Sequence, residues 1–169
     1  VFGTIRSIIN LGINECGLSC NNGFSKIYLP AETQTNSRKA IPISNIRNIQ
    51  SVCHELDDDL RWLIGLISDT GARLSEVAGL LVTDINIEAK YPHIIVQPHP
   101  WRSLKTKSSE RRIPLIGTAL WAAQRIKKGH ESVFAFPRYS NEQNCNANSA
   151  SAALNKWLKS YVPNGCVIH

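Results

Sequence analysis

The stretch Asp69-Thr70-Gly71-Ala72-Arg73-Leu74-Ser75-Glu76-Val77 constrains this chain most, because a glycine ends one apolar stripe and an arginine precedes the next. Leu60, Leu63, Ile64 and Ile67 recur at three- and four-residue spacing, which predicts an amphipathic helix, and Gly71 suits the left-handed position that stops it. Leu74, Val77, Ala78 and Leu81 give a following helix its own buried face. Arg73 therefore falls at the corner between two helices. Glu76 stands three residues further on, a spacing at which a carboxylate can pair with the guanidinium and hold its fork. A clamped guanidinium suits a phosphate. From this segment alone, a plain structural ion pair at a helix start is the simpler reading.

With 43% hydrophobic residues in 169, the chain can bury one ordinary core, and one main domain with an appendage is expected. No apolar run reaches the roughly 18 residues that cross a bilayer, and the N-terminus does not resemble a signal peptide. These features predict a soluble intracellular protein. Methionine is absent, even at position 1, so the sequence reads as truncated at both ends.

Cys16, Cys20, Cys53, Cys145 and Cys166 are odd in number and form no Cys-x-x-Cys pair, which argues for reduced thiols rather than disulfides or zinc. Cys53 beside His54 invites a nucleophile reading. Adjacent helical positions point about 100° apart, however, and Val52 and Leu56 set this stretch against a core, so the structural reading is preferred. Asp57-Asp58-Asp59 similarly invites a metal-dependent nuclease. Consecutive side chains diverge, and acids favour a helix start through its dipole, which makes caps the better account.

Residues 2 to 16, with Phe2, Ile5, Ile9, Ile13 and Cys16 at helical spacing and Gly17 as a stop, form one predicted helix without a partner. Residues 17 to 43 are rich in glycine, asparagine and proline and read as linker. Pro42 and an N-capping Ser44 open a helix with Ile46, Ile49, Val52 and Leu56 on one side. Asp84 to Ile87, His93 to Gln97 and Arg111 to Leu115 are short and β-branched, predicting a small antiparallel sheet with Lys105 to Glu110 as its exposed turn. Helices return at Ala119 to Lys128, on Leu120, Ala123 and Ile126, and at Ser149 to Tyr161, on Ala153, Leu154, Trp157 and Leu158. Helices around one segregated three-stranded sheet make an α+β domain.

Net charge is +6, but nine lysines and arginines lie from Lys90 to Lys128 against the single acid Glu110. Four of them, Lys105, Lys107, Arg111 and Arg112, fall within eight positions. Such density points to an anionic partner more than to a solvated face kept for solubility.

Thr70-Gly71-Ala72-Arg73-Leu74-Ser75-Glu76 resembles the first arginine box of the tyrosine recombinases, the phage integrase family. Further parts follow in family order. Leu104-Lys105-Thr106-Lys107-Ser108-Ser109-Glu110-Arg111-Arg112-Ile113-Pro114-Leu115 resembles the family's hairpin lysine segment. Val133-Phe134-Ala135-Phe136-Pro137 is similar to its Val-Phe-Pro stretch, and Cys166-Val167-Ile168-His169 to the approach to its His-x-x-Arg box.

The resemblance implies a mainly helical catalytic domain at residues 44–169, incomplete at its C-terminus. Residues 30–43 would be the linker, and residues 1–29 the last helix of a core-binding domain and the start of that linker. It implies site-specific breakage and rejoining of double-stranded DNA through a 3′-phosphotyrosine, without metal or nucleotide cofactor, in a cytoplasmic protein that assembles as a tetramer on DNA. Arg73, Lys105 and His169 would be catalytic, with Lys107 as an alternative proton donor, and Glu76 would support Arg73. Arg102, Lys107, Arg111 and Arg112 would contact DNA. The second arginine and the nucleophile would lie beyond His169, and neither Tyr139 nor Tyr161 takes that role. A non-catalytic DNA-binding protein is the alternative.

Overall fold

The structure, a computed structural model, describes residues 2–27, 39–106, 109–129 and 131–168. It divides into two compact units, Val1–Ser37 and Arg38–His169. In the first, α1 (Phe2–Glu15) ends at Gly17 with φ of 60°, as its stripe predicts. Ile5, Ile9 and Ile13 are only half-buried, and no residue of α1 is fully buried. The following loop folds back on the helix through Asn22, which donates to the Arg6 carbonyl at 3.0 Å and to Asn10 Oδ1 at 2.7 Å.

The second unit begins with α2 (Ile43–Leu56), α3 (Asp59–Thr70) and the short α4 (Leu74–Ala78). A 3₁₀ turn over Val82–Asp84 leads into β1 (Ile85–Asn86), β2 (His93–Val96) and β3 (Arg111–Pro114), followed by α5 (Gly117–Gly129) and α6 (Ala147–Leu158). The strands lie in the order β1-β2-β3, antiparallel throughout, with Ile85 opposite Ile94 and Val96 opposite Arg111. Alternation sends Ile85, Ile94 and Val96 into the core, where they are fully buried.

The core is centred on α3 and α5. Ala119, Ala122 and Ala123 are fully buried, and a methyl added at Gly65 would come within 3.2 Å of Thr118 and 3.3 Å of Ala122. Small residues on the facing surfaces permit this close approach. Asp69 Oδ2 accepts from the Ala119 N–H at 3.2 Å, satisfying an otherwise unpaired donor at the start of α5.

Several local expectations shift. Pro42, not Ser44, occupies the N-cap of α2; its extended ψ of 146° starts the helix two residues earlier. Cys53 takes the core position expected of Leu56, which is exposed. The three aspartates diverge: Asp57 accepts from Trp62 Nε1, Asp58 caps α3 through the Arg61 N–H, and Asp59 accepts from the Leu60 N–H. α4 stops at Ala78, so Leu80 rather than Leu81 is buried after it. Ser109, expected in an exposed turn, is only 7% exposed.

Candidate functional site

Gly71 ends α3 with φ of 62°, and the chain leaves it extended through Arg73, at φ of −66° and ψ of 144°, before α4 begins. From that corner the Arg73 side chain reaches solvent. Its backbone N–H donates to Glu76 Oε2 at 3.0 Å, and its Nη1 donates to Oε1 at 2.8 Å. The Glu76 side chain is 3% exposed while that of Arg73 is 53% exposed, so a buried anion anchors a guanidinium that reaches solvent.

A second arginine shares the anchor. Arg111, at the start of β3, donates from Nη2 to Glu76 Oε2 at 2.8 Å and from Nη1 to the Ser109 carbonyl at 2.7 Å. Burial by itself would raise the Glu76 pKa. The hydrogen bonds from Arg111 and Arg73 outweigh that effect and hold it below the ordinary carboxylate value. Two guanidiniums on one ionised carboxylate leave one unit of positive charge for an incoming anion.

Lys105 and Arg73 line one open cleft, together with Leu74 and Ser75 and, from α6, Ala147, Asn148 and Ser151. Its basic walls come from segments 32 residues apart in sequence. The loop that carries Lys105 is tied beneath Arg73, since Thr106 Oγ1 lies 2.9 Å from Ser109 Oγ and Arg73 Nη1 donates to that hydroxyl at 3.4 Å. Lys107 and His169 lie outside the described residues. Ser109, Asn148 and Ser151 have no sequence signature, because only the fold brings them to Arg73.

The other expected DNA contacts separate. Arg102 is nearly buried: it is 5% exposed, donates from Nη2 to the Gln97 carbonyl at 2.8 Å and packs over Gly79. Burial lowers its pKa from arginine's ordinary value, with the charge of Asp84 opposing. Asp84, itself 2% exposed, accepts from the Leu81 N–H and Gln97 Nε2 and lies 2.8 Å from His99 Nε2. Arg111 has its donors engaged by Glu76 and Ser109. Arg112 is exposed one position on, which sends it to the other face of the sheet, beside Lys90, Tyr91 and His93. Arg102, Arg111 and Arg112, close in sequence, thus do not share one surface.

Cys53 is fully buried, and desolvation pushes its thiol up to about 12, which fits core packing and not nucleophilic chemistry. Tyr139 is 3% exposed, and burial raises its pKa too.

The sequence profile of the phage integrase family matches residues 18–164. The chain belongs to the phage integrase family. Its helices and antiparallel three-stranded sheet form the tyrosine recombinase catalytic fold. Among solved structures, this integrase-family chain is similar to the Tn1549 transposon integrase in complex with circular intermediate DNA. Two such complexes match at TM-scores of 0.70 and 0.68 and identities of 17% and 19%. They match over 98% of this chain and 60% and 61% of the integrase chains. It is also similar to the XerA recombinase, at a TM-score of 0.56 and 12% identity, over 96% of this chain and 55% of that one. These identities carry the fold alone. The chain therefore spans about three-fifths of the transposon integrase chains. No protein of curated function is similar enough in sequence to count as a match.

Proposed function

We propose that this chain carries part of the catalytic domain of a site-specific DNA recombinase, which breaks and rejoins duplex DNA without a metal through a 3′-phosphotyrosine link. One observation carries the reading: Arg73, clamped by buried Glu76 and still half-exposed, shares an open cleft with Lys105. Arg73 is the group we assign to the non-bridging phosphate oxygens, where charge builds as the phosphodiester is attacked. Removing such a preorganised donor costs about 2.7–4 kcal/mol of barrier. Lys105 is assigned as the acid that protonates the departing 5′ oxygen, a task worth roughly 10²–10⁴-fold. In the same reading residues 44–169 belong to the catalytic domain, residues 1–29 end a DNA-clamping domain, and several copies assemble on the duplex.

The test is Arg73→Ala in the full-length protein, on a suicide substrate that traps the covalent protein–DNA complex. Trapping should fall at least about 10²-fold, while DNA affinity changes little, because one phosphate contact among many contributes little to binding. Wild-type cleavage should also withstand a chelator. Cleavage by the Arg73→Ala protein near the wild-type rate would make Arg73 a structural ion-pair partner and end this reading.

A further inference from the structure

Lys105 sits in the 14-residue connection between β2 and β3, whose described residues mostly lie outside helix and strand. An acid on such a segment donates a proton efficiently only if something holds it over the phosphate. The described residues supply one such hold. Ser109 is nearly buried although it lies in a polar loop; its N–H bonds back to the Thr106 carbonyl at 3.0 Å, and its hydroxyl meets Thr106 Oγ1. Its carbonyl is gripped by Arg111 Nη1 at 2.7 Å, and Arg111 Nη2 is fixed on Glu76 Oε2 at 2.8 Å. One planar fork thus joins the lysine's loop to the same carboxylate that clamps Arg73.

We propose that Arg111 is a positioning residue, a latch that holds the Lys105 loop against the Arg73–Glu76 pair. The proposal rests on the proton-donor role given to Lys105 above. Arginine suits the task because its guanidinium offers donors in two directions at a fixed angle, whereas a lysine ammonium is a point charge on a flexible stem. A purely structural partner for Glu76 would need only the carboxylate bond. The grip on the Ser109 carbonyl is the additional contact, and it acts on the loop. Arg111 acts on the phosphate chemistry by holding the Lys105 loop, with its bond to Glu76 as the fixed end of the latch, and does not itself touch DNA.

The experiment compares single-turnover cleavage by the full-length protein of two DNA substrates, one with the ordinary 5′ oxygen at the scissile bond and one with a bridging 5′ sulfur. The sulfur leaving group needs no proton. Arg111→Ala should slow the oxygen substrate by about 10²-fold and return to within about tenfold of wild type on the sulfur substrate, in parallel with Lys105→Ala. Arg111→Lys, which keeps the charge and loses the fork, should lie between. It carries the test if the alanine variant does not fold. Equal slowing on both substrates, with Lys105→Ala recovering as expected, overturns the latch alone. A fall of about one in the salt slope of DNA binding on removing Arg111 also overturns it, by making Arg111 a phosphate contact. Failure of Lys105→Ala itself to recover overturns the proton-donor role, and the latch with it.

Discussion

Replacing Glu76 with glutamine isolates the electrostatic anchor, because the side chain keeps its shape and loses its charge. The carboxylate receives the Arg73 N–H at 3.0 Å, Arg73 Nη1 at 2.8 Å, Arg111 Nη2 at 2.8 Å and, more weakly, Arg111 Nη1 at 3.4 Å. A glutamine amide retains one acceptor oxygen and turns the other into a donor facing N–H groups. Whichever way the amide is turned, roughly two of the bonds are lost. Hydrogen bonds to charged groups are worth about 1.5–3 kcal/mol each, but the side chains of Arg73 and Arg111 are 53% and 36% exposed, so water recovers part of that loss. Discounting by about half gives a destabilisation of about 1.5–3 kcal/mol at neutral pH, read as a fall in the urea midpoint with an unchanged slope. The folded-state pKa of Glu76 is depressed. Its stabilisation is therefore fully present above the ordinary glutamate value and lost as pH falls through the folded one. The gap between wild type and Glu76→Gln should be complete at pH 7 and should close as pH drops below about 4. A gap under about 0.5 kcal/mol at pH 7, or one that persists undiminished in acid, would refute the claim that charge on Glu76 anchors the two arginines.

Gly71→Ala should cost about 1–2 kcal/mol by urea unfolding, because φ is 62° there while nothing lies within 4 Å of the added methyl; no measurable change would mean the corner is not left-handed. Gly79→Ala should cost about 1–3 kcal/mol, since the methyl would fall 2.6 Å from Arg102 Cδ; in an Arg102→Ala background much of that cost should vanish, and an unchanged cost would show that Arg102 does not cover Gly79. In the native protein, Cys16 and Cys20 should react with iodoacetamide at pH 8 well before Cys53, whose thiol is buried and raised to about 12; early labelling of Cys53 by mass spectrometry would contradict its burial. Duplex DNA binding should weaken linearly on a log–log plot against salt, and a flat dependence would remove the phosphate-contact reading.

Much of the framework was legible because it is local. The stripes of α3, α5 and α6, the three short strands and the stop at Gly71 all follow from side-chain period and backbone permission, which neighbouring residues set for themselves. The pairing of Arg73 with Glu76 was legible for the same reason: at a helix start the capping residue and the residue three positions on are neighbours. Boundaries were less so. Pro42 displaced Ser44 as the cap of α2, and α4 ended at Ala78, because helix ends shift by a residue or two without changing the apolar stripe that a sequence displays.

The fate of the basic segment was not local at all. Arg102, Arg111 and Arg112 look alike in sequence, yet one is buried over Gly79, one grips Glu76 and Ser109, and one is exposed on the other face of the sheet. Strand alternation separates Arg111 from Arg112, but which face meets Glu76 depends on how β3 pairs with β2 and how that sheet meets α4. Charge counted along a chain is blind to this. A long-range partner such as the one 35 residues away from Arg111 is chosen by the burial of a carboxylate that must be neutralised, and that burial exists only once the core has closed around it.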